Sequence, residues 1–208
     1  MSRSEFDARD FDLAGWLVRA HRIGSPNQDA RPEGASITLL VIHNISLPPG
    51  EFGGNGVVDL FLNRLDHAAH PYYQTLHGLE VSSHFFIRRD GELIQFVPCE
   101  RRAWHAGVSR WCGRERCNDF SIGVELEGTD DSGFTDAQYA ELARLTGEIQ
   151  LRYPIEDIAG HSDIAPERKT DPGPMFDWAR YRALIADVKG EEQRVEGKRS
   201  NPHFDGKA

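Results

Sequence analysis

Cysteine is scarce in this chain: Cys99, Cys112 and Cys117 are the only three among 208 residues. An odd count, with no pair at the two-residue gap typical of metal-binding cysteines, argues against a disulfide framework and predicts reduced thiols. Grouping Cys112 and Cys117 with His105 as a zinc knuckle leaves a fourth short-spaced ligand missing. Long apolar runs are absent too. No segment approaches the ~18 apolar residues of a membrane span, and the first ten residues carry three acids where a signal peptide would carry an apolar stretch. The expectation is a cytoplasmic protein with no membrane partner. Basic charge is in deficit, with 24 Lys and Arg against 33 Asp and Glu and a formal net charge of -9. A nucleic-acid partner is therefore not expected, because displacing phosphate counterions takes clustered basic surface. The local cluster of Arg110, Arg114 and Arg116 suits a small anionic ligand and a solvated loop about equally.

No internal repeat is visible, and 39% apolar with 27% charged residues supports one sizeable core. We expect one domain over residues 1–188 and a polar, charge-mixed, disordered tail over 189–208. Breakers at Gly24-Ser-Pro26 and Arg31-Pro32 mark a lead-in, with a short apolar element near Trp16. Residues 37–43 form an apolar strand, and residues 57–65 carry the spacing of a short amphipathic helix. The Asp90-Gly91 step between residues 82–88 and 92–97 signals a hairpin. In residues 120–127, alternation puts Ile122, Val124 and Leu126 on one face and Gly123, Glu125 and Glu127 on the other, away from the core. Thr135-Asp-Ala-Gln138 matches a capping box opening a long helix that stops near Pro154. Residues 157–160 read as a short strand and 176–188 as the last helix. The fold class that follows is α/β, a central mixed β-sheet flanked by helices.

Chemistry concentrates in Gly160-His-Ser-Asp-Ile-Ala-Pro-Glu-Arg-Lys-Thr-Asp-Pro-Gly173, which holds His161, Lys169 and Asp171 within one loop. His43, at the end of the apolar strand, offers a second imidazole, and two imidazoles with one carboxylate make a catalytic zinc set with room for water. These ligands lack a short signature such as His-Glu-x-x-His, and spacing leaves Asp163 competing with Asp171. A metal-bound water needs a base, for which Glu125 and Glu127 compete. Lys169 suits an oxyanion-stabilising cation. The histidines at 21, 67, 70, 77 and 203 read as ordinary surface or structural residues.

Four blocks carry a family resemblance: Val41-Ile-His-Asn-Ile-Ser-Leu-Pro-Pro-Gly-Glu-Phe-Gly-Gly54, Arg102-Ala-Trp-His-Ala-Gly107, Cys117-Asn-Asp-Phe-Ser-Ile-Gly-Val-Glu-Leu-Glu-Gly-Thr-Asp130 and the His161 to Pro174 run. In order and spacing they resemble the zinc-dependent N-acetylmuramoyl-L-alanine amidases, relatives of the peptidoglycan recognition proteins. The resemblance covers roughly residues 16–184 and is specific, because four separated blocks recur in sequence order. It implies Zn2+ held by His43, His161 and Asp171, Glu125 as general acid/base and Lys169 as the oxyanion cation. Glu127 and Asp163 fall to supporting roles that orient the ligands, while Asn44, Trp104 and Arg116 line the groove for sugar and peptide. Glu80 stands where some relatives carry arginine. The implied substrate is a small muropeptide cleaved between (1,6-anhydro-)N-acetylmuramic acid and L-alanine in peptidoglycan recycling, by a monomer, with a consequent damping of β-lactamase induction.

Overall fold

The computed structural model describes residues 10–199, with side chains described through residue 188. Ten strands and five α-helices follow one another as β1 (His21–Arg22), β2 (Gln28–Ala30), β3 (Leu39–Ile45), α1 (Gly56–Phe61), α2 (Pro71–Gln74), β4 (Phe85–Ile87), β5 (Leu93–Gln95), β6 (Arg101–Ala103), β7 (Arg110–Trp111), β8 (Arg114–Glu115), β9 (Ser121–Glu127), α3 (Asp136–Arg152), β10 (Asp157–Gly160), α4 (His161–Ile164) and α5 (Trp178–Arg199). Six strands make the central sheet in the order β1-β5-β4-β9-β3-β10. Every neighbouring pair is parallel except β4 with β5, which the Asp90-Gly91 turn joins as the expected hairpin. The sheet is thus mixed and flanked by helices, as the sequence predicts. Two small two-stranded ribbons, β2 with β6 and β7 with β8, lie outside it.

One face of the sheet carries Leu40, Ile42, Phe85, Ile122, Val124 and Leu126, and these pack against Tyr139, Leu142, Leu145 and Ile149 of α3 and Tyr181 and Ile185 of α5. Full burial of each large apolar side chain contributes roughly 1.5–3 kcal/mol, so this layer dominates the core. The α3 start is fixed by the expected capping box, in which Thr135 accepts from the Gln138 N–H and Gln138 reaches back to the Thr135 N–H. The helix ends at Arg152, before Pro154, which disfavours helix at the preceding residue.

The opposite face is covered in two parts. Phe86, Ile94, Phe96 and Val97 meet Val57, Leu60, Phe61 and Tyr73 around α1 and α2. Leu39, Val41 and Ala159 meet Cys117, Phe120 and Ile164 at the other side. Between the two clusters the sheet face stays open, and β3 and β9 lie beneath the opening with His43 paired in register with Glu125.

Several element limits differ from the sequence expectation. Strand β3 begins and ends two residues later, because its pairing with β9 runs from Leu39 with Ser121 to Ile45 with Glu127. Helix α1 stops at Phe61, and Asn63 turns left-handed at φ 55°, so Leu65 reaches its apolar cluster from a loop. Helix α5 continues to Arg199, so residues 189–199, expected as disordered tail, are helical. Their Glu, Gln, Arg and Lys are strong helix formers even without an apolar stripe. The rest of that tail, 200–208, lies outside the described residues.

Candidate active site

Strand β3 carries His43 into the opening, and β10 delivers His161 at the first turn of α4. Asp171 returns to them because the His161 loop folds back on itself: the Ser162 N–H donates to the Asp171 carbonyl at 2.8 Å. This return brings Pro172 against Gly160, where a Cβ would lie 2.7 Å from the proline ring, so the close approach requires glycine. Asp163 accepts from the Gly160 N–H at 2.7 Å. It therefore caps α4 and does not orient a ligand side chain, contrary to the supporting role expected of it.

The result is a triangle of donors. His43 Nδ1 lies 3.0 Å from His161 Nδ1 and 2.9 Å from Asp171 Oδ2, and His161 Nδ1 lies 3.0 Å from Asp171 Oδ2. Among the described residues these three form the group of His, Cys, Asp or Glu side chains placed to share a metal ion. The donor chemistry fits a cation. His161 Nε2 faces the Ala106 carbonyl at 3.1 Å, which only accepts, so that nitrogen carries the proton and Nδ1 presents a lone pair to the triangle. Tetrahedral zinc with bonds of about 2.0–2.1 Å would set its ligands about 3.3 Å apart, close to the spacings found. Burial pulls His43 down to about 4 against the pull of the Asp171 hydrogen bond, so it is neutral, as a metal ligand must be. Burial alone would raise Asp171, but the imidazoles of His161 and His43 beside it hold its carboxyl well below the usual carboxylate range.

Glu125 stands beside the triangle, with Oε1 4.0 Å from His43 Nδ1. It is 9% exposed, and its Oε2 has no hydrogen-bond partner. Burial, and then the charge of Asp171, push its carboxyl well above the ordinary range, while the Lys169 ammonium opposes the shift. Glu127, expected as an exposed carboxylate that supports the ligands, is instead 3% exposed and accepts from the Gly53 N–H at 2.6 Å and the Arg89 N–H at 3.1 Å. The reason is that the loop after β3 and the hairpin turn close over that end of β9.

A cavity of about 840 Å³ spreads over these groups, lined among others by Asn44, Trp104, Glu80, Asp130, Arg168, Lys169 and Asp171. That is ample for a drug-sized ligand. Asn44 is held there by donating to Asp130 Oδ1 at 2.8 Å and to the Pro172 carbonyl at 3.0 Å. Trp104 is half-buried on the wall. Arg116 is elsewhere: its side chain is 70% exposed, pairs with Asp119, and is not among the cavity residues. The wall guanidinium is that of Arg168, which donates to the Ala106 and Val108 carbonyls. Sequence reasoning missed His84, which is fully buried, and two residues that line the cavity, the half-buried His105 and Asn118, whose Oδ1 accepts from the His105 and Ala106 N–H groups. A physical signal for His105 was Gly123, a glycine inside a strand, which marks a close approach.

Sequence comparison agrees with this geometry. The N-acetylmuramoyl-L-alanine amidase family matches residues 33–174, and the chain belongs to that family. Within it, the chain is 58% identical over 174 residues to the 1,6-anhydro-N-acetylmuramyl-L-alanine amidase AmpD of Escherichia coli (strain K12), covering 83% of this chain and 95% of that one. A crystal structure of a selenomethionine AmpD derivative matches with a TM-score of 0.82 at 59% identity, covering 84% of this chain and 98% of that chain. The Escherichia coli amidase AmiD, in complex with the substrate anhydro-N-acetylmuramic acid-L-Ala-D-gamma-Glu-L-Lys, matches with a TM-score of 0.53 at 33% identity, over 74% of this chain and 60% of that chain.

Proposed function

We propose that this chain is a zinc-dependent hydrolase that cleaves the amide bond between 1,6-anhydro-N-acetylmuramic acid and L-alanine in muropeptides, a step in peptidoglycan recycling. One observation carries the reading: the donor triangle of His43, His161 and Asp171 borders a buried, unpartnered Glu125 on the floor of a ligand-sized cavity. The amidase activity of AmpD and the anhydromuropeptide held by AmiD support the substrate class. Cytoplasmic action as a monomer belongs to the same proposal. No helix among the described residues is long and apolar enough to cross a membrane.

His43, His161 and Asp171 would hold the zinc, which when bound supplies a Lewis acid for the lactyl carbonyl and a water acidified from a pKa of about 15.7 towards about 7. Glu125 takes the proton from the attacking water. Its elevated pKa lets it keep that proton until the amine departs, and it then delivers the proton to the L-alanine nitrogen. The Lys169 ammonium lines the same cavity and stabilises negative charge gathering on the former carbonyl oxygen. Asn44 and Trp104 line the wall that faces the sugar and stem.

The test is to incubate the purified protein with anhydromuropeptide, look for the freed stem peptide by mass spectrometry, and measure bound metal in the same preparation. Release of the peptide, lost on chelation and restored by zinc, is the expected result. Intact substrate after incubation with metal-loaded protein would refute the proposal and leave a binding module.

A further inference from the structure

Both imidazoles of the donor triangle are backed by one short stretch of chain. The Ala106 carbonyl accepts from His161 Nε2–H at 3.1 Å, and the neighbouring His105 places its Nδ1 2.9 Å from His43 Nε2. The far nitrogen of His105, Nε2, lies 3.1 Å from Ser121 Oγ. We infer that His105 is a positioning residue for the metal, accepting the His43 Nε2–H so that His43 Nδ1 is offered as a lone pair to the ion.

A neutral imidazole has one proton for two nitrogens. When His43 binds metal through Nδ1, its proton must sit on Nε2; the His43 side chain is buried, and His105 Nδ1, 2.9 Å away, is the acceptor at hand. His105 then carries its own proton on Nε2 and donates it to Ser121 Oγ, which can accept because a hydroxyl plays either role. An aligned partner of this kind fixes both the tautomer and the ring direction of a ligand, and its loss weakens metal binding.

The fold makes room for this arrangement at a cost in strand quality. His105 lies across β9 at Gly123, where a Cβ would fall 2.5 Å from the imidazole ring, so a side chain at that position would evict it. The backbone ahead of the ring is pinned by Asn118 Oδ1, which accepts from the His105 N–H at 3.2 Å and the Ala106 N–H at 2.8 Å. A glycine inside a central strand weakens the strand, and here its space is filled by the ring that backs His43.

The inference rests on the proposed metal site, and zinc affinity measured by chelator competition separates the two. In His105→Leu the dissociation constant should rise about 10–100-fold, while His105→Asn, which keeps an acceptor near the Nδ1 position, should stay within about threefold of wild type. Wild-type protein that takes up no zinc would sink the metal reading and this inference with it. Wild-type zinc uptake combined with equal affinity in His105→Leu, or with equal losses in Leu and Asn, would overturn the inference alone. If His105→Leu does not fold, Ser121→Ala carries the test. Removing the hydroxyl should raise the dissociation constant about 2–5-fold, and an unchanged value would overturn the inference.

Discussion

Glu125 and Glu127 are two residues apart on one strand and point to the same side of the sheet, and both are buried. They differ in what surrounds them. At the Glu127 end, a loop and a hairpin turn present backbone N–H groups, and both carboxylate oxygens are engaged. At the Glu125 end the cavity begins, and one oxygen has no partner at all. A buried carboxylate with full hydrogen bonding is structural, whereas one left short is held in reserve for a proton. The lesson is that burial and strand position do not distinguish the two residues; the supply of donors does.

The same chemical change at each position should therefore give opposite readouts. Glu125→Gln should lower kcat by about 10²–10⁴-fold with metal content unchanged, checked by steady-state cleavage and metal analysis; near-normal turnover would remove Glu125 from the mechanism. Across the cavity, Lys169→Ala should lower kcat by about 10²-fold or more with little change in stability, and an unchanged kcat would show that the oxyanion does not need it. Glu127→Gln should instead cost about 2 kcal/mol of stability in urea unfolding, because the amide cannot accept from both backbone donors as the carboxylate does, while kcat stays close to wild type. A large kcat loss with no stability change would erase the contrast drawn here.

The smallest effect is in pH. In the metal-free protein burial pulls His43 down to about 4 and holds His84 and His105 well below the usual histidine range. Below about pH 6.5 the unfolded chain binds protons that these folded imidazoles refuse, so stability falls as pH drops towards 4. Glu125 acts in the other direction, since its raised folded pKa costs stability as pH climbs above about 4.5. With three such imidazoles against the Glu125 carboxyl, the melting temperature of the metal-free protein should fall by about 5 °C between pH 7 and pH 5. A flat profile would mean that the buried histidines titrate as they do in the unfolded chain.

Much of the scaffold was legible from local signals. Thr135 with Gln138, Asp90-Gly91 and the alternation through Ile122, Val124 and Leu126 each carry their own geometry, and each element appears where it was expected. The strands β1, β2 and β6 are two or three residues long, too short to show a period, and depend on partners distant in sequence. At the site, the donor residues could be proposed because imidazole and carboxylate chemistry is specific. The choice between Asp163 and Asp171, or Glu125 and Glu127, was hidden from spacing and periodicity and came only from the family resemblance, because it depends on which backbone N–H groups come near. Arg116 and Arg168 show the same limit: both are loop arginines, and only the folded chain reveals which one reaches the cavity wall.

The pairing of His43 with Glu125 across β3 and β9 has a wider consequence. Their separation is set by main-chain pairing between two central strands, whereas the surrounding walls are supplied largely by connections that leave the sheet. Insertions, deletions or wholesale exchange of those connections can reshape what enters without retuning the reactive pair. A scaffold of this kind allows substrate range to diverge while the bond-breaking apparatus is inherited intact.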